Sequence, residues 1–111
     1  MAITLKQLAM GSLAASSNAT TSTVASQKIQ VATSIRLVNT HATASVVLNV
    51  SAGPSGSEVL IAPKDLTLAA GQYYSDDVEI TLKTSDHLKI ASGSAGGPTH
   101  YVISGFEKDQ A

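Results

Sequence analysis

The sequence predicts an all-β fold, a small β-sandwich of jelly-roll or immunoglobulin-like topology with an extended N-terminal arm. Three observations carry this. From Thr23 onward apolar residues recur with a period of two, the pattern of half-buried strands. Turn-forming residues interrupt the chain at roughly the 8–12-residue spacing of a sandwich. No segment after Thr23 sustains a helical period, and the one helical candidate, Leu5–Leu13, contains Gly11, which disfavours a helix interior.

Residues 1–22 are expected to form the arm and residues 23–111 the sandwich. Met1–Met10 alternates loosely through Ile3, Leu5 and Leu8, and Gly11–Thr23 is almost wholly Gly, Ser, Ala, Thr and Asn. Such a stretch has little to bury against the entropy of ordering itself, so a partner is expected to hold it. A secretory leader is not expected, because Met1–Met10 has one Lys and no continuous apolar region. Val24, Ile29 and Val31 open the first strand signal. In Thr33–Asn39, Ile35 and Leu37 share one face and Ser34, Arg36 and Val38 the other. Asn39-Thr40-His41 breaks the run, and Thr43–Ser51 resumes it with Val46, Leu48 and Val50 together.

Ala52–Ser57 reads as a loop, since Gly supplies positive φ and Pro fixes φ. A strand over Glu58–Ala62 is closed by Pro63-Lys64-Asp65. Leu66 and Leu68 point together, and Ala69-Ala70-Gly71 turns the chain. Gln72–Ser75 follows, then Asp77–Leu82, where Val78, Ile80 and Leu82 face in and Asp77, Glu79 and Thr81 face out. After the Lys83–Asp86 turn, His87–Ala91 places Leu88 and Ile90 inward. Ser92–Gly97 is a loop ended by Pro98, and His100–Phe106 is the last strand, with Tyr101 and Ile103 on one face.

At 111 residues the chain has the size of one domain. It is 14% charged, against about 25% for an average soluble domain. Ser and Thr supply 26 residues, so hydroxyls replace charges on the exterior. Low charge means little repulsion between copies and permits dense packing. The aromatics are Tyr73, Tyr74, Tyr101 and Phe106, so aliphatics must fill the core. A net charge of −1 offers no footprint for nucleic acid. No run of about 18 apolar residues suggests a membrane span. With no cysteine, disulfides and thiolate chemistry are excluded.

The candidate chemistry is sparse. His41, His87 and His100 each fall at a turn or strand edge, with no pair spaced as metal ligands. They are expected to be solvated or hydrogen-bonded. Asp76, Asp77 and Glu79, with Asp65 and Asp86 nearby, are oxygen-rich but lack a calcium-loop spacing, and turn chemistry explains them. There is no Gly-x-Ser-x-Gly elbow, and Ser104-Gly105 lies in a strand. Glu58, Glu79 and Glu107 are the only glutamates and do not suggest a catalytic pair. Gly93, Gly96 and Gly97 make no phosphate loop. No catalytic residue, metal ligand or cofactor is therefore expected, and the protein is read as a non-enzyme. Tyr73 and Tyr74 point to opposite faces of a strand; one belongs to the core, and the exposed one could stack on a sugar ring. The sequons at Asn18 and Asn49 lack a secretory context.

The order of segments resembles a family of small tailed-phage virion structural proteins. The shared pattern is a Met-Ala start with an apolar patch, a Gly/Ala/Ser stretch, and a strand ending in Asn-Thr, here Ser34–Thr40. A Thr/Ser/Val strand follows, here Ala44–Val50, then Pro-Lys-Asp-Leu-x-Leu-Ala-Ala-Gly, here Pro63–Gly71. The pattern closes with Leu82–Ser92 and with Tyr-x-Ile-Ser-Gly-Phe-Glu, here Tyr101–Glu107. His41–Ala44 departs from it in lacking a turn glycine. The resemblance spans nearly the whole chain and implies a structural role without catalytic residues. It implies a virion location after synthesis in the bacterial host cytoplasm. The implied partners are copies of the chain itself, with a trimer favoured, and the major capsid protein or other virion proteins. A capsid decoration (cement) protein is the leading expectation; a neck, tail or fibre component and a carbohydrate-binding adhesion module are the alternatives. In the cement reading the arm adds a strand to a neighbour's sheet edge, with Ile3, Leu5 and Leu8 filling side-chain pockets.

Overall fold

A computed structural model describes residues 3–21 and 23–109. Nine strands follow in order: β1 (Ile3–Leu13), β2 (Asn18–Thr20), β3 (Lys28–Asn39), β4 (Val46–Pro54), β5 (Val59–Leu60), β6 (Leu66–Leu68), β7 (Tyr73–Leu82), β8 (Asp86–Ser92) and β9 (Thr99–Asp109). One sheet has the order β1-β9-β3-β7. The other runs β2-β8-β4-β5, with β6 pairing β4 beyond β5. Each paired strand is antiparallel to its neighbour. β1 pairs β9, β2 pairs β8, β3 pairs β7, and β4 pairs the broken β5/β6 strand. This is one long hairpin rolled on itself, the jelly roll, and it decides between the two sandwich topologies expected.

The period-two alternation fills the space between the sheets. Ile35, Leu37, Leu82 and Ile103 from one sheet meet Val46, Leu48, Val50, Leu88 and Ile90 from the other, all essentially without solvent exposure. Two of the expected strands differ. Glu58–Ala62 contributes only Val59 and Leu60 to a strand, both exposed, while Ile61 and Ala62 pack partly buried against the core. Gln72–Ser75 and Asp77–Leu82 are one unbroken strand, with Asp76 on its inward side, bonded by the Tyr74 hydroxyl at 3.0 Å.

The N-terminal arm expectation needs correction. Residues 3–21 are built into the sandwich: β1 pairs with β9 from Ile3 to Leu13, and β2 joins the second sheet. Leu13 is buried in the core, and the buried Thr21 hydroxyl accepts the Leu88 N–H. The expected boundary at residue 22 therefore separates two strands from the sheets they belong to. The physical reason is that a strand of small residues needs few pockets. Ala9, Gly11 and Leu13 face inward opposite Ile103, Tyr101 and Thr99, and the β9 backbone supplies the hydrogen bonds. Met1 and Ala2 of the expected arm lie outside the described residues.

A bulge crosses the four-stranded sheet. Leu8 is an extra residue in β1 against Ile103–Ser104 of β9, and Thr33 an extra residue in β3 against the adjoining step, Ser104–Gly105. Beside them Gly105 lets the backbones converge, since a Cβ there would sit 2.0 Å from the Val31 carbonyl oxygen. Each extra residue reverses which face the following side chains take. In β3, Ile35 and Leu37 face the core, while Val31, two residues before the bulge, turns to the outer face beside Phe106 and Thr81.

One buried polar side chain ties the loops at the other end. Asn39 is fully buried. Its Nδ2 donates to the Ala44 and Leu68 carbonyls at 2.9 and 3.0 Å, and its Oδ1 accepts the His41 and Gly97 N–H groups, both at 3.1 Å. The amide thus satisfies backbone groups from the segments that follow β3, end β6 and precede β9.

Candidate interaction face

The outer face of the β1-β9-β3-β7 sheet and its β1 edge carry the features best suited to a partner. Below the bulge, register aligns Leu5, Phe106, Val31 and Thr81 across all four strands, and Ile3, Lys108 and Ile29 across three. Val31 and Phe106 form an apolar floor. Beside it a shallow cavity of about 440 Å³ is lined by Val31, Thr33, Val78, Glu79, Thr81, Phe106 and Lys108. Glu79 and Lys108 thus put one charge of each sign among its lining residues.

Of Ile3, Leu5 and Leu8, the residues expected to bind a partner, Leu8 alone has a described side chain. Backbone register pairs Ile3 with Lys108 and Leu5 with Phe106, and their side chains lie outside the described ones. Leu8, the bulge residue, packs against the core of its own chain. Above the bulge the outward position of β1 is taken by Met10, 60% exposed. Phe106 was accessible to parity in the sequence, since it is out of phase with Tyr101 and Ile103. Val31 was not, because the bulge at Thr33 reverses its face.

Below the bulge the inward face carries a polar group beside the core residues Ala32 and Leu82. Gln30, itself buried, donates from Nε2 to Glu107 Oε2 at 2.9 Å, and Lys6 pairs with the same oxygen at 3.3 Å. Gln30 foremost, then Lys6, hold the Glu107 carboxyl below the usual carboxylate range. Lys28 pairs with Asp109, which raises the Lys28 ammonium.

The remaining candidates resolve individually. His41 Nδ1 accepts the Thr43 and Ala44 N–H groups and shapes its own turn. His87 Nε2 meets Glu58 Oε2 at 2.8 Å with both side chains largely covered. Glu58's own backbone N–H, then His87, lowers its carboxyl below the ordinary value. His100 is exposed on the outer face, opposite Ser12 and Val38. Among the described residues no three of His, Asp and Glu cluster as metal ligands would. Asp77 and Glu79 face outward, and Asp65 is held by Asn49 through its backbone N–H and its carboxylate. Tyr74 packs against the core, and burial first, then Asp76, raises its phenol. Tyr73 is 60% exposed, but the Arg36 guanidinium lies 4.6 Å from its ring centroid and occupies one of its two faces.

No protein-family model and no curated protein matches the chain. Solved structures do. The Drosophila NLP core, described with its pentamer formation and histone binding, aligns over 91% of this chain and 98% of its own at 18% identity and a TM-score of 0.51. A chain of the T13 infectious bursal disease virus particle aligns over 96% of this chain and 29% of its own, at 11% identity and a TM-score of 0.51. A family 35 carbohydrate-binding module from an environmental isolate covers 96% and 82% at 17% identity and a TM-score of 0.45. The similarity to the first two is one of fold.

Proposed function

We propose that the chain is a non-enzymatic structural subunit of a phage virion, most specifically a capsid decoration protein that binds the major capsid shell. The observation that carries this reading is the combination of a long open sheet edge, β1, exposing Met10, with an adjoining shallow outer cavity floored by the buried Val31 and the half-buried Phe106. A many-copy shell component needs such surfaces for neighbours and needs no reaction centre. The jelly-roll fold, shared with a chain of a viral particle, and the phage-like order of segments support it. Copies of the chain associate with one another and with the shell, adding buried area across joints that resist internal pressure.

Quantitative mass spectrometry of purified virions, split into head and tail fractions, tests this. Hundreds of copies in heads is the expected result. A few dozen copies with tails would place the chain in the neck, tail or fibre instead. Absence from both would refute the virion reading. A sugar-binding role draws support from Tyr73 alone, and Arg36 already stacks on that ring.

A further inference from the structure

The two sheets expose edges of very different quality. In the second sheet the strands without a continuous outer neighbour, β2, β5 and β6, are 3, 2 and 3 residues long, too short to template a partner strand. The first sheet has two long edges, β1 with 11 residues and β7 with 10. Unpaired edges of this length recruit other strands unless something blocks them, and charge, bulges and inward-turned ionic groups are the usual blocks.

β7 carries all three. Asp76 turns inward, Asp77 and Glu79 face out, and the register against β3 shifts between Asp77 and Ile80. Two copies of β7 laid side by side would oppose these carboxylates. β1 is guarded only in its first half, where Lys6 is engaged by Glu107 and Leu8 forms the bulge. From Ala9 to Leu13 it has no charge and no proline, and its register against β9 is unbroken. Met10, the exposed apolar side chain of this stretch, is 60% open.

We propose that Ala9–Leu13 of β1 pairs antiparallel with the same segment of a second copy, joining two four-stranded sheets into one of eight strands. A two-fold axis near Gly11 sets Met10 beside Ser12 of the second copy and Ala9 beside Leu13, with no like charges opposed. Gly11 suits the axis, because Tyr101 lies against it on the inner side, its hydroxyl 2.8 Å from where a Cβ would stand. This isologous contact deepens the proposed function, rests on its premise of association between copies, and makes a two-fold pair, not a trimer, the first contact between copies.

The chain has no cysteine, so single-cysteine variants report the interface cleanly. The full chain is examined by size-exclusion chromatography with light scattering, from about 1 to 100 μM, the range of a small interface. Met10→Cys and Ser75→Cys are then treated with a short bis-maleimide, separately and mixed. The expected result is a dimer at the upper concentrations, self-linking of Met10→Cys, and none of Ser75→Cys, which reports the β7 edge. Met10→Lys should weaken the dimer at least tenfold while circular dichroism shows an intact fold. A monomer throughout, or a dimer unchanged by Met10→Lys, overturns the proposal. Linking of Met10→Cys only to Ser75→Cys overturns it in favour of head-to-tail β1–β7 pairing and a closed ring. A dimer that is absent from virions would refute the virion role and leave this contact standing; a virion component without the dimer would do the reverse.

Discussion

Replacing Asn39 with Ala removes a side chain on which four backbone groups depend. The Leu68 carbonyl and the Gly97 N–H are enclosed, while the Ala44 and His41 groups are partly reachable by water. An orphaned buried backbone group costs about 1–3 kcal/mol, and a partly solvated one about half as much. Asn39→Ala should therefore lose roughly 4–6 kcal/mol, a large share of the ~5–15 kcal/mol that stabilises a domain. The thermal midpoint should fall by about 15–25 °C. Urea unfolding with an unchanged slope would confirm that the native state, not the compactness of the unfolded chain, is affected. Asn39→Asp sharpens the test. A carboxylate can still accept from His41 and Gly97 but faces the Ala44 and Leu68 carbonyls without donors. Burial raises its folded pKa above the unfolded value, so the deficit should be full at neutral pH and shrink as pH falls through the folded pKa. Asn39→Ala within about 1 kcal/mol of wild type would refute the reasoning.

Gly105→Ala should cost more than about 3 kcal/mol or prevent folding, because its Cβ would collide with the Val31 backbone. Gly56→Ala, in open space at φ +86, should cost only about 1 kcal/mol of backbone strain; parallel melts of the two variants check the contrast. Removing residues 1–13 should unfold or aggregate the protein, as it takes Leu13 from the core and bares β9; a soluble product with an unchanged melt would restore the free-arm picture. Glu58 and Glu107 both have folded pKa values below the ordinary 4.5. Their contribution is present above that value and is lost as pH falls through the lower folded pKa. Acid unfolding profiles of Glu58→Gln and Glu107→Gln should accordingly be flatter below pH 4.5 than that of wild type.

The core strands were legible because alternation reports burial directly. Val46, Leu48 and Val50, or Leu88 and Ile90, needed only parity to be placed inward, and the structure buries all five. β1 was hidden for a specific reason. Ile3 and Leu5 share one phase, Leu8 breaks it at the bulge, and Ala9 and Gly11 then face inward with side chains too small to register as a hydrophobic stripe. The same mechanism concealed the outer face, since Val31 has the parity of Ile35 and Leu37 but lies on the far side of the Thr33 bulge. His87 and Glu58, 29 residues apart, carried no local sign of their contact.

Sequence alone determined the class: many short strands, small and hydroxylic surfaces, an aliphatic core, and turns at Pro and Gly. These are local quantities, set by side-chain size, polarity and φ preference within a few residues. Only the tertiary structure decided that the hairpin rolls into a jelly roll, that the first strand closes onto the last, and which edge stays open. Those outcomes depend on pairings across most of the chain's length, such as Ile3 with Lys108, and on bulges whose extra residue changes the face of everything beyond it.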